Sequence, residues 1–161
     1  FGLPDQDSAA ARADLESALA LQPEHLSWYQ LTLEPNTLFH HRPPPDLPDD
    51  ERLCDIMEAG QALLAASGFH QYEISAYARD GRACRHNRNY WEFGDYLGVG
   101  AGAHGKLTGP DGEVVRSTKR RAPAAYLRAA AQGATSTRAA VPRDDLPLEF
   151  MLNALRLNRF E

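Results

Sequence analysis

Apolar residues recur at helical spacing at Ala11, Leu15, Ala18 and Leu19, which predicts a helix over 8–22. Asp7 or Ser8 is placed to cap it, and Pro23 to end it. Residues 25–33 (His-Leu-Ser-Trp-Tyr-Gln-Leu-Thr-Leu) are apolar on both faces, the pattern of a buried parallel strand. Glu34-Pro35-Asn36-Thr37 reads as a turn, and the proline-rich run 40–48 as an exposed loop. A second helix follows from Asp49 or Asp50 to about Ser67, with Leu53, Ile56, Met57, Gly60 and Leu64 as its stripe. Gly68 stands where a left-handed C-terminal residue is expected. Residues 69–77 alternate, with Tyr72, Ile74 and Ala76 on one face and Gln71, Glu73 and Ser75 on the other, as in a strand. Helix, strand, helix, strand predicts βα units and a parallel sheet or barrel.

Beyond Tyr77 the periodicity breaks. Residues 78–94 are polar and read as a loop, and 95–104 as a strand made permissive by glycines. Thr108-Gly109-Pro110-Asp111-Gly112 is a turn signal, with 113–117 as the return strand. Pro123 opens a short alanine-rich helix that ends near Gly133. The polar stretch 134–146 reads as a linker. Pro147 opens a last helix whose Leu148, Met151, Leu152 and Leu155 are expected to face inward. No internal repeat is present.

Composition narrows the class. The 161 residues suffice for a domain with a real core, and 43% hydrophobic with 24% charged is ordinary for a globular chain. A net charge of −5 argues against a nucleic-acid module, which would carry a basic face. Two cysteines, Cys54 and Cys84, are too few for a disulfide scaffold and fit a reducing, cytoplasmic setting. No apolar run is long enough to span a bilayer, and no signal peptide is recognisable. The ends, Phe1-Gly2-Leu3-Pro4 and Asn158-Arg159-Phe160-Glu161, read as cuts in a longer protein.

Candidate chemistry concentrates in His86-Asn87-Arg88-Asn89-Tyr90-Trp91 and Gly98-Val99-Gly100-Ala101-Gly102-Ala103-His104-Gly105. The glycine run formally matches a dinucleotide fingerprint. That fingerprint needs a helix directly after it and an acid about twenty residues on. Here His104-Gly105-Lys106-Leu107-Thr108-Gly109-Pro110 is too broken for the helix, and Arg120 occupies the acid's place. Two readings of the glycines stay open: close approach of backbone to a ligand, or a strand crowded by its neighbours. His86 is either a metal or axial haem ligand with Tyr90 and Trp91 as a flat wall, or a surface histidine beside anchoring aromatics. His25, His40, His41 and His70 lack metal-site spacing, and no CxxC exists to hold a cluster. Arg116, Lys119, Arg120 and Arg121 form a basic run that reads either as a partner for ligand carboxylates or, the preferred reading, as a solvated edge. Glu73 and Asp95 read as isolated structural acids, and no Ser-His-Asp or paired-carboxylate set stands out.

These motifs, with Leu26-Ser27-Trp28-Tyr29-Gln30-Leu31-Thr32-Leu33-Glu34-Pro35-Asn36-Thr37, Gln71-Tyr72-Glu73-Ile74-Ser75-Ala76-Tyr77-Ala78-Arg79 and Glu149-Phe150-Met151-Leu152-Asn153-Ala154-Leu155-Arg156, resemble the radical SAM haem chaperones of the HemW family. These are often described as oxygen-independent coproporphyrinogen III oxidase-like. The resemblance spans nearly the whole chain. It implies an α/β fold, the later part of an incomplete (βα) radical SAM barrel over 1–105. A post-barrel extension and linker would occupy 106–146, and the start of a C-terminal helical domain 147–161. It implies haem at His86, Asn87, Tyr90 and Trp91, with His86 on the iron. It places Thr32 and His104 at S-adenosylmethionine. The family's CxxxCxxC loop for a [4Fe–4S] cluster has no counterpart here, so cluster assembly and catalysis by this chain alone are not expected. Haem and haem-accepting proteins are the implied partners, with a homodimer and peripheral membrane association left open. A coproporphyrinogen dehydrogenase is the alternative, and a barrel piece without activity of its own the third reading.

Overall fold

A computed structural model describes residues 1–160; Glu161, the last residue of the expected C-terminal segment, lies outside the described residues. The chain divides into two compact units, 1–84 and 85–161.

In the first unit, α1 (Ser8–Ala20) starts at Asp7, whose carboxylate accepts from the Ala10 N–H at 2.8 Å. Capping satisfies one of the orphan donors of the first turn. The helix buries Ala11 and Leu15 and stops short of the expected residue 22, where Gln22 turns left-handed at φ 53°. A single exposed turn, α2 (Leu38–His41), is capped by Thr37 and takes in the first two residues of the expected loop. Helix α3 (Asp50–Ala66) is capped by Asp49, and Asp50 and Glu51 in its first turn complement the helix dipole. Gly68 closes it at φ 79°, as expected. Ile56, Gly60 and Leu64 are buried, whereas Met57 of the expected stripe is exposed. The two long helices pack together over a core of Leu15, Leu64, Phe69 and Tyr77, with Trp28 against its edge. The Trp28 ring lies across Gly60 so closely that a Cβ there would fall 2.0 Å from it.

The sheet corrects the expected strands. Strand β1 (His25–Ser27) is three residues long, and residues 28–33 are irregular. The expected strand 69–77 is a hairpin, β2 (His70–Glu73) and β3 (Ala76–Ala78), folded at Ile74-Ser75. The Gln71 side-chain amide donates to the Ile74 carbonyl at 2.9 Å and props the turn. The Trp28 N–H donates to the Ser75 carbonyl at 2.8 Å and holds the chain after β1 to it. The order is β1-β3-β2 with both pairings antiparallel, so the expected parallel sheet is not what these strands form.

The second unit begins with α4 (Arg85–Trp91), inside the stretch expected to be loop. Strands β4 (His104–Thr108), β5 (Val114–Lys119) and β6 (Ser136–Ala140) form an antiparallel sheet in that order. The β4–β5 hairpin is the one expected from the 108–112 turn. The expected strand 95–104 reduces to one bridge between Tyr96 and Lys106, because Gly100 and Gly102 adopt φ 98° and 73° and turn the chain. The expected linker holds β6, an edge strand exposed throughout. Helix α5 (Pro123–Ala131) is as expected, with Gly133 at φ 68° after it. After a 3-10 turn at Arg143–Asp145, α6 (Leu146–Ala154) buries Asn153 and Ala154. Its Leu148, Met151, Leu152 and the following Leu155, expected inward, are exposed.

Both sheets are open and three-stranded, so the fold is mixed α/β with antiparallel pairing. Among the described residues no helix is long and apolar enough to cross a membrane.

Candidate ligand-binding site

Helix α4 splits the HNRNYW motif between two environments. His86 lies exposed in its first turn, and no described residue hydrogen-bonds its ring. Tyr90, four residues on, shares that side of the helix by spacing. Tyr90 and Trp91 are half-buried and packed edge to face, 4.7 Å between centroids at 86°. The Tyr90 ring also meets Tyr96 at 4.9 Å, and the Arg156 guanidinium lies 4.4 Å over Trp91. Trp91 Nε1 is buried without an acceptor among the described residues. The two aromatics are thus one wall of a packed cluster, with the imidazole standing free beside it. A free imidazole is a competent axial ligand, so the residues present fit one haem iron bond.

The segment after α4 fixes this cluster. Phe93 takes φ 63°, and the Gly94 N–H donates to the Asn89 carbonyl at 2.7 Å. Gly94 is required there, because a Cβ would sit 2.3 Å from Asn89 Oδ1. The Asn89 amide donates to the Asp95 carbonyl at 3.0 Å. The Asp95 carboxylate then accepts three bonds: Lys106 Nζ at 2.7 Å, Thr108 N–H at 2.9 Å and Thr108 Oγ1 at 2.8 Å. These donors, the Lys106 ammonium first, pull the carboxyl down to about 2. Lys106 is 1% exposed and its ammonium lies 4.3 Å over the Phe93 ring. Tyr96 accepts from Arg116 Nη1 at 3.0 Å, and Arg116 is ion-paired with Glu149. Burial, then the hydrogen bond with Tyr90, raises the Tyr96 phenol above its usual value.

Sequence reasoning set Asp95 aside as an isolated acid and did not single out Lys106. No signal in the sequence marks it: Leu107 is exposed and Lys106 buried, the reverse of what their polarity predicts. Arg116 is half-buried in its pair with Glu149 and is not a freely solvated edge residue.

The remaining candidates belong to other elements. Thr32 is exposed in the irregular segment after β1, its hydroxyl donating to Glu34 Oε1 at 2.9 Å. His104 is the exposed first residue of β4, in the other unit. Of the glycine run, Gly98 presses on β4: a Cβ would lie 2.2 Å from the His104 carbonyl oxygen. Gly100 has nothing within 4 Å of that position. Crowding therefore accounts for Gly98, and close approach of a ligand remains a reading only where the space is open. His25 is bonded to Tyr72 at 2.8 Å and His70 faces Asp80 at 3.4 Å. Among the described residues no group of three or more His, Cys, Asp or Glu side chains is gathered to hold a metal, and Cys54 and Cys84 are both free. This chain's residues do not fit an iron–sulfur cluster.

No protein-family model matches the chain. It is 54% identical over 157 residues to the heme chaperone HemW of Escherichia coli, covering 97% of this chain and 40% of that protein. It is 53% identical to the heme chaperone HemW of Haemophilus influenzae, again covering 97% of this chain and 40% of the relative. Over 110 residues it is 42% identical to the mitochondrial radical S-adenosyl methionine domain-containing protein 1 of Bos taurus, covering 66% of this chain and 25% of that protein. The chain thus spans about 40% of the length of the first two relatives. Among solved structures, coproporphyrinogen III oxidase (HemN) from Escherichia coli, a radical SAM enzyme, superposes with TM-score 0.78 at 22% identity. That match covers 98% of this chain and 39% of the other, and gives the chain the fold of that part of the oxidase.

Proposed function

Because this chain belongs with the HemW-like proteins, we propose that it is the haem-handling part of a radical SAM haem chaperone. The longer protein would bind haem and pass it to haem-accepting proteins in the cytoplasm. The observation that carries this reading is the free imidazole of His86 on α4, beside the packed wall of Tyr90 and Trp91. His86 would take the haem iron, with Asn87 at the same helix start and the Tyr90 side of the wall toward the porphyrin. The [4Fe–4S] cluster and S-adenosylmethionine would be held chiefly by the rest of the protein, since no cysteine set for a cluster is gathered here. Contacts of Thr32 and His104 with S-adenosylmethionine rest on the family resemblance alone. In the same reading residues 1–105 are late barrel, 106–146 its extension, and 147–161 the start of the next domain.

Titrating haem into the full-length protein and its His86→Ala variant tests this, with coproporphyrinogen decarboxylation assayed in parallel. The chaperone reading expects a Soret shift that the variant loses, and no turnover. Decarboxylation would favour the oxidase reading, and an unchanged Soret band in the variant would remove His86 from the site.

A further inference from the structure

Lys106 is a lysine buried to 1% exposure, so its ammonium must be accounted for by what it holds. An ammonium almost never goes fully under unless it is paired, and a buried pair is weak evidence for stability because desolvation offsets the attraction. Here the ammonium is 1% exposed while its partner Asp95 is 40% exposed. The pair therefore reaches from the sheet interior to the surface segment that follows α4.

From Lys106 the connection is continuous. Its ammonium holds Asp95 Oδ1 at 2.7 Å and rests on the Phe93 ring. The Asp95 backbone carbonyl holds the Asn89 side chain at 3.0 Å, inside the HNRNYW helix. Residue 96, directly after Asp95, is bridged to Lys106 by both backbone bonds, Tyr96 N–H to Lys106 O at 2.9 Å and the reverse at 3.0 Å. The Tyr96 ring is the surface on which Tyr90 packs. The Lys106 ammonium, with Thr108, thus fixes Asp95 and through it the amide of Asn89, while the backbone bridge at residue 106 sets the ring beside Tyr90.

We infer that Lys106 is a positioning residue for the haem-facing helix, acting through Asp95 to fix the direction in which α4 presents His86 and Tyr90. This rests on the haem reading of α4. Removing the ammonium leaves Asp95 held by Thr108 alone and in reach of solvent, so no charge is stranded in the interior. A methionine of similar length can fill the slot on Phe93. The fold then stands while the exit of α4 loosens. Groups bonded directly to a metal ligand typically matter by about ten- to a hundredfold in affinity, and Lys106, acting through Asp95 and Asn89, should fall at the lower end, about tenfold.

The test uses the full-length protein, wild type beside Lys106→Met, Asp95→Asn and the double variant, with His86→Ala as the control. The expected result has three parts. Lys106→Met stays cooperatively folded with a midpoint lowered no further than in Asp95→Asn, binds haem about tenfold more weakly with a displaced Soret maximum, and loses near-ultraviolet circular dichroism from the Tyr90–Trp91–Tyr96 cluster before any haem is added. The losses in Lys106→Met and Asp95→Asn should be less than additive in the double variant, since the two residues share one contact. Wild-type haem affinity and Soret position in Lys106→Met would overturn the positioning role and leave the function of α4 standing. A loss of haem that only tracks a lowered midpoint would reduce Lys106 to a structural residue. If wild type takes up no haem while His86→Ala behaves identically, the functional reading falls and the positioning role falls with it.

Discussion

Replacing Gly98 by alanine separates two uses of glycine that lie side by side in one run. The added Cβ would stand 2.2 Å from the His104 carbonyl oxygen, 2.6 Å from its carbon and 3.0 Å from its nitrogen. Ordinary contacts are more than an ångström longer than the first of these, and every atom met is backbone, so no rotamer change relieves the clash. Strand β4 must move, and with it the paired Tyr96–Lys106 bridge. Overpacking of this kind costs 1–3 kcal/mol, and a backbone collision belongs at the top of that range, at about 3 kcal/mol. Gly100→Ala meets nothing within 4 Å and carries only the penalty of φ 98°, about 1–2 kcal/mol. Hydrogen exchange at the Tyr96 and Lys106 amides reads the difference locally. At 1.4 kcal/mol per decade, Gly98→Ala should speed exchange there by about a hundredfold, and Gly100→Ala by about tenfold. Exchange in Gly98→Ala as slow as in wild type would refute crowding as the reason for glycine at that position.

The other predictions concern the cores and caps. Gly60→Ala drives a Cβ to within 2.0 Å of the Trp28 ring and should cost about 1–3 kcal/mol, read as a lowered thermal midpoint with altered tryptophan fluorescence. Asp49→Ala removes the acceptor for the Arg52 N–H and should destabilise α3 by about 1 kcal/mol, with Asp49→Ser restoring most of it in urea titration. Asp95 has a folded-state value of about 2, below the ordinary 3.8, so the unfolded chain takes up its proton first as pH falls. Its stabilisation is complete above about pH 4 and fades toward pH 2. Wild type should therefore lose denaturation midpoint more steeply than Asp95→Asn between those values, and parallel curves would contradict the Lys106 contact.

What was legible in the chain follows from where each element gets its stability. Helices α1, α3 and α5 announce themselves because their own sequence supplies the signals: an apolar period in the first two, Asp7 and Asp49 as caps, Pro123 as a start. Strands β2 and β3 read as one because their turn, Ile74-Ser75, contains no glycine, asparagine or proline, and Ile74 keeps the alternation intact while pointing outward. Strand β6 has no buried face, so no period marks it. Helix α4 is seven residues with no apolar stripe, held by the Arg88–Glu92 pair and by contacts from Tyr96 and Arg156 that lie outside it. The same reasoning applies to the site. Residue types alone mark His86 as a ligand candidate, but which way α4 faces depends on the segment from Phe93 to Tyr96. That segment is held at Asp95 by Lys106 and Thr108, eleven and thirteen residues on and in another element. A charged residue in a strand looks like a solvated position until its partner is placed. Here the partner turns a polar connection into the support of the candidate site, so substitutions in that connection should disturb ligand presentation before they disturb folding.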